Sequence, residues 1–81
     1  MYEVQFSVNA TKFFKNLPKD IQERIKKKFK EIEEKPLRYL EHYEGNYHKI
    51  RIGDFRALVD IDHSQKVLVV QVFDKRGRIY D

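Results

Sequence analysis

The chain has 81 residues, and its 17 Lys and Arg against 13 Asp and Glu give a net charge of +4, which favours polyanionic partners: nucleic acid, the ribosome or an acidic protein segment. It contains no cysteine, which excludes a disulfide framework, a thiolate nucleophile and cysteine-ligated zinc. A chain this short reads as one domain, residues 1–81, burying about 60% of its unfolded surface, so the expectation is a shallow site and a large substrate.

Tyr2, Val4, Phe6 and Val8 alternate with Glu3, Gln5 and Ser7, the period of a half-buried strand. The strand ends at Asn9, a residue able to cap the helix that follows. Ala10, Phe13, Phe14 and Leu17 fall at helical spacing, and Pro18 closes that helix or opens the next. From Lys19 to Lys35 a second helix carries the stripe Ile21, Ile25, Phe29 and Ile32. Its outer face offers Glu23–Lys27, Lys27–Glu31 and Lys30–Glu34 at i,i+4. Lys26-Lys27-Lys28 therefore reads as a solvated, charge-matched face rather than a nucleic-acid grip. Pro36 stops the helix. Residues 37–46 form the longest connection, with Leu37 and Leu40 expected under the helices and Gly45-Asn46 turning into the sheet.

Tyr47 to Asp62 reads as two strands folded back at Gly53-Asp54. Ile50 and Ile52, then Phe55, Ala57, Val59 and Ile61, share an apolar face, while Lys49, Arg51 and Arg56 share the opposite one. His63-Ser64-Gln65 turns the chain. Lys66 to Phe73 is almost continuously apolar, as expected of a central strand covered on both faces. The order β-α-α-β-β-β predicts an α+β fold, two N-terminal helices packed on a mostly antiparallel four-stranded sheet. No apolar run reaches membrane-spanning length, and MYEVQFSVNA lacks a signal-peptide pattern, so a cytoplasmic protein without membrane contact is expected.

His42, His48 and His63 stand in separate contexts, Ser7 lacks a nucleophile motif, and no Gly-rich phosphate loop is present, so neither metal nor cofactor is expected. His48 alternates with Ile50 and Ile52 and reads as a packed, hydrogen-bonded imidazole, with general base as the sharper alternative. The remaining candidates for chemistry are Lys49, Arg51, Arg56, Arg76 and Tyr80. Cleaving RNA through its own 2′-hydroxyl needs a base, positive charge for the crowded phosphate, and a proton for the leaving 5′-oxygen. Crowded cations disfavour one another's charge, which would ready Lys49 as a base. Arg56 and Arg76 would hold the phosphate, and Tyr80 would stack on a base. The plainer reading is a basic face that binds an acidic peptide, with Tyr80 packed on the edge. Phe13 or Phe14 is expected in an apolar strip that a partner helix covers, core packing of both rings being the alternative.

The segment Tyr47-His48-Lys49-Ile50-Arg51-Ile52-Gly53-Asp54-Phe55-Arg56 resembles the "Y-[KR]-[IL]-R-x-G-[DN]-[YF]-R" core of the RelE/ParE superfamily of toxin–antitoxin toxins. Lys75-Arg76-Gly77-Arg78-Ile79-Tyr80 resembles its closing "[HK]-R-x-x-[VI]-Y". With the N-terminal strand and helices in matching order, the resemblance spans essentially the whole chain. It implies a RelE-like fold and a metal-independent endoribonuclease that cuts mRNA in the ribosomal A site. It also implies a RelB-like antitoxin partner, hence a heteromeric complex. By motif, Arg56 would stabilise the phosphate in the transition state and Arg76 the leaving group. Lys49 and Arg51 match basic positions of the sheet face, Tyr80 matches a tyrosine that stacks on substrate, and Lys75 and Arg78 fall among the substrate contacts. Arg51 stands where the RelE pattern has lysine, and Lys75 where many members have histidine, so the base role falls on Lys49. The alternatives are a ParE-type DNA gyrase inhibitor and a non-catalytic basic binding module.

Overall fold

The computed structural model describes residues 1–45 and 47–75. Strand β1 (Glu3–Phe6) leads into helices α1 (Val8–Lys15) and α2 (Lys19–Glu34) and a 3-10 turn (Pro36–Arg38). Four more strands follow: β2 (Glu41–Glu44), β3 (Tyr47–Ile52), β4 (Phe55–Asp62) and β5 (Val67–Lys75). They form one sheet in the order β1-β5-β4-β3-β2. Only β1 and β5 pair in parallel, joined in sequence by the helices and the β2–β4 meander. The α+β class and the helix pair are as expected. The sheet has five strands rather than four, because residues 41–44 of the supposed connection pair with β3. Glu-His-Tyr-Glu has no apolar alternation to announce a strand. It is one through its partner, not through its own burial, which is slight.

Register decides which side chains meet. The two-residue turn Gly53-Asp54 brings Ile52 opposite Phe55. Gly53 has φ +55, a conformation that suits glycine at the first central position of a hairpin turn. From there Ile50 faces Ala57, which faces Phe73, and His48 faces Val59, which faces Val70. This row lies under the helices. Ile25, Phe29 and Ile32 of α2 meet Ile50, Ile52, Ala57, Val59, Leu68, Val70 and Phe73 in one core. Phe6, Phe13, Phe29, Phe55 and Phe73 interlock, mostly edge to face, with centroids 5.2–6.2 Å apart. Phe13 and Phe14 are thus drawn into the core margin, the plainer of the two expectations for these rings.

Helix α1 is capped by Ser7, not Asn9. Ser7 Oγ accepts from the Ala10 N–H at 3.1 Å and donates to the carbonyl of Gln71 at 2.7 Å. Gln71 is the extra residue of a bulge where β5 slips against β4 between Leu58 and Val59. The cap therefore moved two residues forward because a tertiary acceptor waits there. On α2 the expected i,i+4 pairs give way to Lys28–Glu31 at 3.5 Å, and Lys28 also lies over the Tyr39 ring. Leu40 packs on the core as expected. Leu37, on the 3-10 turn, is 85% exposed instead of tucked under the helices. Strand β5 is interior, paired with β1 and β4, but covered by helices on one face only: Leu68 and Val70 are buried, whereas Val72 is 42% exposed. No described helix is long and apolar enough to cross a membrane.

Candidate functional site

The helix-free face of the sheet carries the expected cations. Tyr47, Lys49 and Arg51 alternate with the buried Ile50 and Ile52 on β3, so they project away from the helices. Arg51 stands directly opposite Arg56, and Arg56 opposite Asp74. In the next row Glu41, Lys49, Leu58 and Val72 follow one another across four strands. The sheet thus brings Lys49, Arg51 and Arg56 together, and interleaves Glu41 and Asp74, which the sequence reading left out. The cluster is not one of cations alone.

The three cations differ in access. Arg51 is exposed and Lys49 half-buried, whereas Arg56 is 0% exposed, the one buried charged side chain among the described residues. Its Nη1 donates to the Phe55 carbonyl at 3.3 Å. A buried guanidinium is tolerated only where hydrogen bonds and opposite charge compensate lost hydration, and Asp74 is the carboxylate in register with it. Lys49 Nζ lies 5.9 Å from the centroid of the Tyr43 ring. Lys75, by contrast, is opposite Phe55 and two residues beyond the buried Phe73, which places it on the helix side of the sheet. Arg76, Arg78 and Tyr80 lie outside the described residues.

The histidines sit apart from this band. His48 faces the helix side as expected, and its buried Nδ1 has no hydrogen-bond partner among the described residues. Its ring meets that of His42, its cross-strand neighbour, edge to face at 5.6 Å, and His42 Nε2 lies 3.0 Å from the Gly45 carbonyl. His63, in the turn after β4, has its Nδ1 3.0 Å from the Tyr2 hydroxyl. Asp62 organises that turn: its Oδ1 accepts from the Ser64 hydroxyl and from the Ser64 and Gln65 N–H groups. The Ser64 hydroxyl bond first, then the Gln65 N–H, hold its carboxyl below the usual aspartate range. Among the described residues no three metal-ligating side chains converge.

A small α+β domain with a basic, helix-free sheet face defines the class of protein, and comparison with known proteins gives the family. The family model of the ParE toxin of type II toxin–antitoxin systems matches residues 4–79. The chain belongs to the RelE/ParE toxin superfamily and is a toxin of the type II toxin–antitoxin class. No curated protein matches the sequence. Among solved structures, a chain of the Mycobacterium tuberculosis RelBE2 toxin–antitoxin complex is 25% identical with a TM-score of 0.82, covering 93% of this chain and 98% of that one. A chain of the Escherichia coli RelBE complex is 23% identical with a TM-score of 0.76, covering 93% and 96%. A chain of the Pyrococcus horikoshii RelE–RelB complex is 22% identical with a TM-score of 0.76, covering 96% and 98%. The latter two likenesses concern the fold.

Proposed function

We propose that this toxin is a ribosome-dependent mRNA endoribonuclease acting in the A site. The observation that carries this reading is the placement of Lys49, Arg51 and Arg56 on one open face in adjacent rows. The 2′-hydroxyl attacks phosphorus and loses its proton to the neutral Lys49 amine, the bond from phosphorus to the 5′-oxygen breaks, a 2′,3′-cyclic phosphate forms, and the 5′-oxygen leaves with a proton taken from water. Arg51, exposed beside the buried Arg56, contacts the crowded phosphate, and Arg56 adds to the positive field there. Lys49 takes the hydroxyl proton, since arginine side chains do not give theirs up. Arg76 serves the leaving oxygen and Tyr80 stacks on a base, as the sequence motif implies. Arg78 and Lys75 are among the substrate contacts that the motif implies, Lys75 from the helix side of the sheet. A RelB-like antitoxin neutralises the toxin, a reading supported by relatives crystallised as RelBE complexes.

The test is mRNA cleavage on purified translating ribosomes, mapped by primer extension. Wild type is expected to cut within the A-site codon. Arg51→Ala and Arg76→Ala are each expected to slow cleavage by about 10²–10³-fold, as for loss of one transition-state donor, with antitoxin binding unchanged. Parallel loss of binding and activity would overturn the catalytic assignment. The second reading, gyrase inhibition, is favoured by the ParE description of the matching family model. No cuts with wild type, together with blocked gyrase supercoiling, would establish it instead.

A further inference from the structure

Beside Lys49 the open face carries a feature that the reaction as described does not use. A depression of about 460 Å³ is lined by Tyr43, Glu44, Gly45, Tyr47 and Leu58. Leu58 is the cross-strand partner of Lys49, and Tyr47 is its neighbour two residues back on the same face. Tyr43 enters because β2 is irregular: the register slips between His42 and Glu44, leaving Tyr43 as the extra residue. Such a bulge re-aims a side chain, and here the Tyr43 ring comes within 5.9 Å of Lys49 Nζ. Tyr47 remains 44% exposed.

We propose that this depression is a nucleobase subsite, in which a base unstacked from the RNA lies against the Tyr43 and Tyr47 rings over Leu58. This rests on the ribonuclease reading above and extends it. Three observations favour a base as the occupant. The walls are aromatic and aliphatic, suited to a flat apolar body. A cation stands at one edge only, where the backbone phosphate of a seated nucleotide would lie. The opposite edge carries Glu44 and, across from Tyr47, Asp60, which would repel an acidic peptide running through the groove. Along β3 the step from Tyr47 to Lys49 is about 6.6 Å and from Lys49 to Arg51 the same. A base at Tyr47 thus sets its phosphate at Lys49, and the next nucleotide's at Arg51. Glu44 presents a carboxylate, which only accepts hydrogen bonds, so a seated base would turn an N–H edge toward it.

Two measurements test the subsite. In cleavage on translating ribosomes, Tyr43→Ala is expected to weaken half-saturation roughly ten-fold, the scale of one lost base stack, and to flatten codon preference. The rate at saturation should hold, and Tyr43→Phe should restore the wild-type pattern, because the ring rather than the hydroxyl does the stacking. Wild-type codon preference and half-saturation in Tyr43→Ala would overturn the subsite. The second measurement is independent of catalysis: NMR titration of wild type with 2′-O-methyl trinucleotides, which cannot be cleaved, with and without an abasic position. The expected result is perturbation centred on Tyr43, Tyr47 and Leu58 that the abasic substitution removes. Perturbation elsewhere, indifference to the abasic position, or no binding would overturn the subsite. Ribosomal cuts by wild type alongside such a negative titration would leave the nuclease reading standing. Base-dependent binding without cuts would keep the subsite and remove the nuclease.

Discussion

The two faces of this sheet are built from the same strands, one residue out of step, and are held by opposite physics. Beneath the helices, Ile50, Ala57, Val59, Leu68, Val70 and Phe73 are buried at 7% exposure or less and meet mostly aliphatic and aromatic neighbours. On the open face, Lys49, Arg51 and Arg56 lie among Glu41, Asp60 and Asp74, with Leu58 and the half-exposed Val72 between them. The first face stabilises by removing apolar area from water. The second keeps charges in place on a frame already made rigid. Arg56 breaks this division: it sits on the open face by register, yet is as buried as the core. The fold therefore holds one charge by packing, and leaves Arg51 beside it reachable.

The contrast is testable, and the largest effect is expected in the aromatic core. Phe73→Ala removes the ring that contacts Phe6, Phe13, Phe29 and Phe55. It is expected to cost about 3–5 kcal/mol in urea unfolding, enough to unfold much of so small a domain. Next comes a matched pair on one strand. Val70→Thr buries a hydroxyl among apolar groups and is expected to cost about 1–3 kcal/mol. Val72→Thr, on the open face, is expected to stay within about 0.5 kcal/mol. Equal losses at both would show that the open face is covered in solution. Ser7→Ala removes the α1 cap and the bond to the bulge carbonyl, with an expected loss of about 1–2 kcal/mol in the same assay.

The smallest effect concerns the turn beyond β4. The folded-state pKa of Asp62 is lowered by its hydrogen bonds. Its contribution is therefore fully present above the unfolded aspartate pKa of about 3.9, and is lost as pH falls through the folded value. The thermal stability gap between wild type and Asp62→Ala should accordingly be constant near neutrality and narrow on acidification. A gap that widened in acid would refute this account of the turn.

Much of this was legible in the chain. Alternation through Tyr47–Asp62, interrupted at Leu58, with Gly53 near its middle set the hairpin, its register and the face that carries Lys49, Arg51 and Arg56, because a period of two admits one assignment of sides. The helix stripes and the family motif followed from local spacing as well. What the sequence could not show depends on partners distant along the chain. Residues 41–44 became a strand because β3 offered an edge. Ser7 became the cap because the Gln71 carbonyl lies 64 residues away in sequence and 2.7 Å away in space. Arg56 alternates like Arg51, yet only the packing around it decided that one guanidinium is buried and the other solvated. Tyr47 could have been read as a neighbour of Lys49 from spacing alone. Tyr43 could not, since the bulge that turns its ring to Lys49 is a property of paired strands. Periodicity fixes which side of a strand a residue takes. Only tertiary packing determines what it meets there, because that depends on register, bulges and burial shared between segments.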